Sequence, residues 1–195
     1  DGPSKETEKI LDILKKRQVK ATFFSIGRDD AFSKKMYQRI VKEGHTLGMH
    51  SYSHQYKEIY QSMDAFQADY ERISNCLTAA TGIKPLYYRF PGGSTEVTEK
   101  LQMTDLDAYF NAQGASYFDW NVIAANNTTD DVSVNKMVDS VMNGVALYDT
   151  SIVLMYDSVD RKMTAKSLDS ILDYLLKNGY EILPIDENTI PIHHS

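Results

Sequence analysis

Short apolar stretches of the strand type alternate with amphipathic stretches of the helix type along the whole chain, and this order restricts the fold more than any other feature. Ser4 is placed to cap a first helix whose apolar face is Ile10, Leu11, Ile13 and Leu14, ending near Lys16. A buried-type strand over 20–26 follows, then a helix over about 32–43 that Gly44 stops. A long helix over 63–80 carries Phe66, Tyr70, Ile73 and Leu77 on one face and is closed by Gly82. Next come a strand running into Arg89, a helix near 104–112, a strand over 115–120 and a helix near 132–142, with a polar loop at 126–131. A strand over 152–155, a helix over 164–177 stopped by Gly179 and a strand over 181–184 complete the order. Such alternation predicts an α/β fold of parallel strands joined by right-handed helical crossovers.

The chain has 195 residues, 42% of them apolar, which suits one domain with a sizeable core. A net charge of −6 and the lack of a basic stripe argue against nucleic acid, whose phosphates demand a basic face. No apolar run approaches the roughly 20 residues of a membrane span, so no membrane contact is expected within the chain. The single cysteine, Cys76, excludes an internal disulfide and leaves the compartment open.

The chemistry is concentrated in His50-Ser51-Tyr52-Ser53-His54, directly after the apolar run Thr46-Leu47-Gly48-Met49. Two imidazoles four residues apart, on one face of a helical turn or at the mouth of a strand-to-helix turn, can both reach one divalent cation. By spacing alone such a pair is more often a solvated helix face. Further polar groups stand at other strand ends: Asp1-Gly2-Pro3-Ser4, Arg89-Phe90-Pro91-Gly92-Gly93, Asp119-Trp120-Asn121 and Leu154-Met155-Tyr156-Asp157. In barrels of alternating strands and helices the loops after the strands converge on one face, so these groups are expected to meet around the histidines.

In this order and spacing the motifs resemble those of the NodB-homology polysaccharide deacetylases, carbohydrate esterase family 4. Asp1-Gly2-Pro3 matches the end of the family's T-F-D-D-G-P motif, His50 to His54 its H-[ST]-x-x-H motif, and Arg89 to Gly93 its R-x-P-x-G motif. Asp119-Trp120 resembles the fourth motif, and Leu154-Met155-Tyr156 stands in place of the fifth, L-x-H. The resemblance implies a distorted barrel of about seven strand–helix units, a single domain over residues 1–195, and deacetylation of N-acetylglucosamine units in a polysaccharide, peptidoglycan first. It implies a divalent metal held by Asp1, His50 and His54, zinc foremost, with cobalt or nickel as other candidates. Arg89 would orient the general base, Asp119 would join the catalytic group, the Gly92 backbone N–H would meet the oxyanion, and Trp120 and Leu154 would wall the acetyl methyl. The partner is then an acetylated polysaccharide, and the location a bacterial cell surface or the extracellular space.

Two departures shape what to expect. Only one aspartate of the family's pair is present, abutting Gly2, so Asp1 takes the ligand's place and the base lies outside the sequence. The domain is therefore expected to be truncated at its N-terminal side, with the first strand missing. Tyr156 stands where the family has the general-acid histidine. A phenol with a reference pKa near 10 matches neutral-pH proton transfer poorly, which opens two further readings. One is a weak or inactive glycan-binding relative; the other is an O-acetyl esterase on xylan-like glycans, whose leaving group needs less help from an acid. Plainer roles exist for each residue: Asp119 and Asp157 as helix caps, Trp120 as core, Asp1 as a frayed terminus. His45, His193 and His194 are expected at the surface.

Overall fold

The computed structural model describes residues 1–124 and 132–195; the polar loop expected at 126–131 lies outside them. Among the described residues are six strands, and every pairing between them is parallel. β1 (Thr22–Ser25), β2 (Thr46–Met49), β3 (Tyr87–Tyr88) and β4 (Ser116–Tyr117) form one sheet in chain order, and β5 (Val122–Ile123) pairs with β6 (Val153–Leu154) in a second. Strand order that follows chain order, with a helix between most neighbours, sends every strand's C-terminal end to the same side.

The helices match their sequence signals closely because those signals are caps and stops. In α1 (Lys5–Arg17) the Ser4 side chain accepts the Glu6 N–H and the Thr7 side chain accepts the Ser4 N–H, a capping box. Asp30 caps α2 (Ala31–Lys42), and Ser62 caps α4 (Met63–Thr81), which ends on Gly82 in the left-handed conformation. α5 (Met103–Gln113), α6 (Val134–Val145) and α7 (Lys162–Lys177) fall where periodicity places them. One short helix, α3 (Tyr56–Ile59), strand β5 and a 3-10 turn at Ser94–Glu96 are additions that the alternation pattern does not announce. All three are under five residues long, too short for a periodic pattern to register.

The core has two sides because strands in a parallel sheet are covered on both faces. Phe23 points to the helices, where Leu11, Leu14, Met36, Ile40, Ile73 and Leu77 are buried. That side includes an aromatic group in which Phe66 of α4 meets Tyr70, Tyr88, Phe90 and Phe110 with ring centroids 5.6–6.3 Å apart. Phe24, the next residue, points the other way, into a smaller cluster with Phe118, Ile152 and Ile185.

The strand expected over 181–184 does not form. Pro184 has no N–H to give a ladder. The segment is instead fixed by side chains: the Ile185 N–H donates to Thr22 Oγ1 (2.7 Å) and the Thr46 hydroxyl donates to the Ile185 carbonyl (2.8 Å). Ile185 then fills the inner cluster beside Phe24.

His45 is also not at the surface: it is 6% exposed. Its Nδ1 accepts the Ala21 N–H (3.1 Å) and its ring meets Phe23 edge-on. Nε2 is buried with no partner among the described residues. Burial, with the Lys20 ammonium adding to it, pushes the imidazole down to about 4. An unfolded-state value near 6.5 then means that the unfolded chain binds the extra proton first. This contribution is complete above about pH 6.5 and is lost as pH falls towards 4, by at most about 3 kcal/mol. Urea unfolding at pH 7.0 and 4.5 should show a smaller acid loss for His45→Asn, which keeps an acceptor without the titration; equal losses in both chains would refute the assignment.

Candidate metal centre

Two segments on the strand-end side, the stretch before α1 and the turn after β2, bring Asp1, His50 and His54 together. Their candidate ligand atoms all lie within 4.8 Å of one another. Asp1 Oδ1 is 3.4 Å from His50 Nε2 and 3.3 Å from His54 Nε2. His54 Nε2 is buried with no hydrogen-bond partner among the described residues, an arrangement that is costly unless something else takes the lone pair. A carboxylate and two imidazoles are a donor set suited to zinc and its neighbours in the transition series. The residues fit a divalent ion.

The tautomer of His50 is set by its other nitrogen. Nδ1 lies 2.7 Å from the Arg89 carbonyl, which can only accept, so Nδ1 carries the proton and Nε2 keeps a lone pair able to ligate. Burial holds His50 well below the usual imidazole range, and burial lowers His54 as well, so both are neutral and ready to bind a cation. The pair is not on a helical turn. Residues 50–54 form the turn between β2 and α3, with Ser51 and His54 both in the left-handed region at φ 68° and 55°. That turn is held by Asp69 of α4, whose two carboxylate oxygens accept the Tyr52 and Ser53 N–H groups at 2.7 and 2.9 Å. Ser51 Oγ accepts the His54 N–H at 2.8 Å. Nothing in the sequence marks Asp69, since an acidic residue in a helix reads as solvated.

Arg89 is 7% exposed and its guanidinium stacks on Phe24, 4.3 Å from the ring centroid. Nε donates to the Phe118 carbonyl (2.9 Å) and Nη2 to the Asp119 carbonyl (3.0 Å), tying the end of β3 to the residues after β4. Burial pushes it down to about 10, so it stays charged at neutral pH. Asp119 is fully buried, and its carboxylate is engaged: Oδ1 accepts the Ser94 N–H, and Oδ2 accepts the Ser94 hydroxyl and the His194 N–H. It clamps the loop after β3 rather than capping a helix.

Gly92 and Gly93 follow Arg89 with φ of 81° and 94°. A Cβ on Gly92 would lie 2.5 Å from Glu96 Cγ and 2.9 Å from Tyr56 Cε2, and one on Gly93 would lie 3.0 Å from the Trp120 ring. Conformation and space both require glycine here. No acceptor takes the Gly92 N–H among the described residues. Tyr56, edge-on to His54 at 5.4 Å, borders the same opening, and burial together with the nearness of Glu96 and Tyr156 pushes its phenol up. Tyr156 is half-buried beneath the Arg161 guanidinium at 4.6 Å; Leu154, two residues earlier on β6, is buried.

His193 and His194 are exposed at the surface, as expected, and both also dock against aromatic residues. His193 stacks on Tyr117 at 3.8 Å, and His194 Nε2 lies 2.5 Å from the Trp120 carbonyl with its ring 4.9 Å from the indole. The signal for this was weak, because two histidines at a chain end look like any polar tail.

The polysaccharide deacetylase family model matches residues 1–110. The chain is 27% identical over 99% of its length to a putative polysaccharide deacetylase, YheN, of Bacillus subtilis, covering 67% of that protein. It is 32% identical over 96% of its length to the peptidoglycan-N-acetylglucosamine deacetylase PgdA of Listeria monocytogenes, and 31% identical over 96% to a bifunctional xylanase/deacetylase of Pseudobutyrivibrio xylanivorans. It spans 37% and 29% of those two longer proteins. The catalytic domain of a peptidoglycan N-acetylglucosamine deacetylase from Eubacterium rectale superposes with a TM-score of 0.91 at 34% identity, over 100% of this chain and 89% of that one. A carbohydrate esterase family 4 esterase of Streptococcus mutans superposes with a TM-score of 0.84 at 29% identity, over 93% of this chain and 81% of that one. The fold is therefore the α/β fold of these enzymes, and the chain belongs to the polysaccharide deacetylase family, carbohydrate esterase family 4.

Proposed function

We propose that the chain is a metal-dependent deacetylase acting on N-acetylglucosamine units of a polysaccharide, with peptidoglycan at a bacterial cell surface as the first substrate. The observation that carries this reading is the convergence of Asp1, His50 and His54 beside the Gly92 turn. The relatives named for peptidoglycan deacetylation favour the glycan over other amides.

A divalent ion in this donor set would polarise an acetamide carbonyl and lower the pKa of a nearby water. The chain's own residues supply the remainder. The Gly92 N–H is the donor for the oxygen that gains charge when the carbonyl carbon becomes tetrahedral. Trp120, packed over Gly93, and Leu154 form apolar walls suited to an acetyl methyl. Arg89, fixed in orientation by Phe118 and Asp119, is the partner for the base carboxylate that the family motif places directly before Asp1. Asp119 keeps that arrangement rigid through Ser94. The leaving amine must receive a proton, and the residue in the acid's place is Tyr156.

Tyr156 favours one second reading, action on O-acetyl esters. An alkoxide leaving group needs less help from a general acid than an amine, and one relative is named as a bifunctional xylanase/deacetylase.

Two tests follow. Zinc titration should show stoichiometric binding that His50→Ala and His54→Ala each weaken by at least about 10²-fold; unchanged affinity in either variant would remove the site. Acetate release from N-acetylglucosamine oligomers and from acetylated xylan should then be compared for the chain preceded by Thr-Phe-Asp, with and without Tyr156→His. General-acid help is worth about 10²–10⁴-fold, so the histidine should raise amide turnover by something in that range and ester turnover less. If amide turnover stays level or falls, Tyr156 is not a degraded acid.

A further inference from the structure

The carboxylate ligand comes from a segment with no strand or helix of its own, yet its Oδ1 has to stand between two imidazoles. On one side the backbone of that segment leans on the end of β1: the Asp1 N–H donates to the Phe24 carbonyl (3.3 Å) and the Ile26 N–H donates to the Gly2 carbonyl (3.0 Å). On the other side everything converges on one residue after β6. Asp157 Oδ1 accepts the Gly2 N–H at 2.7 Å, and Oδ2 accepts the Thr7 hydroxyl at 2.6 Å. The Asp157 carbonyl accepts the Ser4 hydroxyl at 2.5 Å.

The approach is so close that position 2 admits only glycine. A Cβ there would lie 2.2 Å from Asp157 Oδ2, 2.6 Å from its Cγ and 2.5 Å from Thr7 Oγ1. Asp157 caps no helix: α1 is capped by Ser4, and the residue before α7 is Arg161. A part-buried backbone tie to a carboxylate, with the tied residue stripped of its side chain to permit it, is how an orienting group behind a metal ligand is built.

We propose that Asp157 is the positioning residue of the metal centre, holding Gly2 so that Asp1 presents its carboxylate to the ion that His50 and His54 bind. This rests on the metal-centre reading given above. It couples the first motif to the strand end that carries Tyr156, so the ligand and the residue in the acid's place share one support.

The test is Co²⁺ binding to the chain, followed by its visible absorbance, with thermal unfolding of the metal-free protein measured in parallel. Asp157→Ala should weaken Co²⁺ binding by about 10–100-fold, the usual loss when an orienting group behind a ligand is removed. Asp157→Asn should recover most of it, because the amide oxygen can still accept the Gly2 N–H and the amide nitrogen can donate to Thr7 Oγ1. Gly2→Ala should follow Asp157→Ala, and it decides the matter should the latter fail to fold. Wild-type affinity in Asp157→Ala or Gly2→Ala, with His50→Ala still disabled, overturns the assignment of Asp157 and leaves the metal centre standing. An unaltered chain that takes up no Co²⁺ overturns both.

Discussion

Parallel pairing of β1, β2 and β3 is the constraint on which the site depends. A parallel sheet delivers the ends of its strands to one side, and the residues that follow those ends become neighbours whatever their separation in sequence. His50 follows β2 and Arg89 follows β3, and the bond from His50 Nδ1 to the Arg89 carbonyl joins the two ends directly. A slip in the register between Met49 and Tyr88 would move that carbonyl and release the tautomer that points Nε2 inward. The fold and the protonation state of one ring are thus the same fact at two scales.

Around this joint three carboxylates, one buried and two half-buried, hold backbone. Asp69 grips two N–H groups of the histidine turn, Asp119 grips Ser94 and His194, and Asp157 grips Gly2. In each case a carboxylate accepts from main-chain donors in loops that have no ladder of their own. The loops carrying the site are short of regular structure, and these three acids supply the order that a sheet would otherwise give. The aromatic group under them, Phe66, Tyr88, Phe90 and Phe110, fills the space between α4 and the strands without polar atoms that would compete for the same donors, Tyr88 excepted.

Much of this was legible in the sequence, for reasons that can be stated residue by residue. Ser4, Ser62 and Gly82 mark helix ends because capping is local chemistry, and the long helices fall within three residues of their expected bounds, α6 deviating most. His50, His54 and Arg89 stood out because their motifs are contiguous. What the sequence hid is long-range: Asp69 and Asp157 look like ordinary surface acids until the fold brings a bare N–H to each. His45 was misplaced because a single histidine beside a glycine carries no burial signal. The segment at 181–184 has the apolar look of a strand, yet Pro184 and the hydroxyls of Thr22 and Thr46 make it a filler of the inner core.

Trp120 is the chain's single tryptophan, and its indole sits over Gly93, 4.9 Å from the His194 ring and 5.6 Å from the Arg89 guanidinium. All indole emission from this chain therefore originates beside the Gly93 turn and the Arg89 guanidinium. A molecule settling against that ring, or the departure of the tail that His194 docks, would alter the surroundings of one fluorophore with no other indole in the chain as background. The residue that packs over the Gly93 turn thus makes the protein its own optical probe.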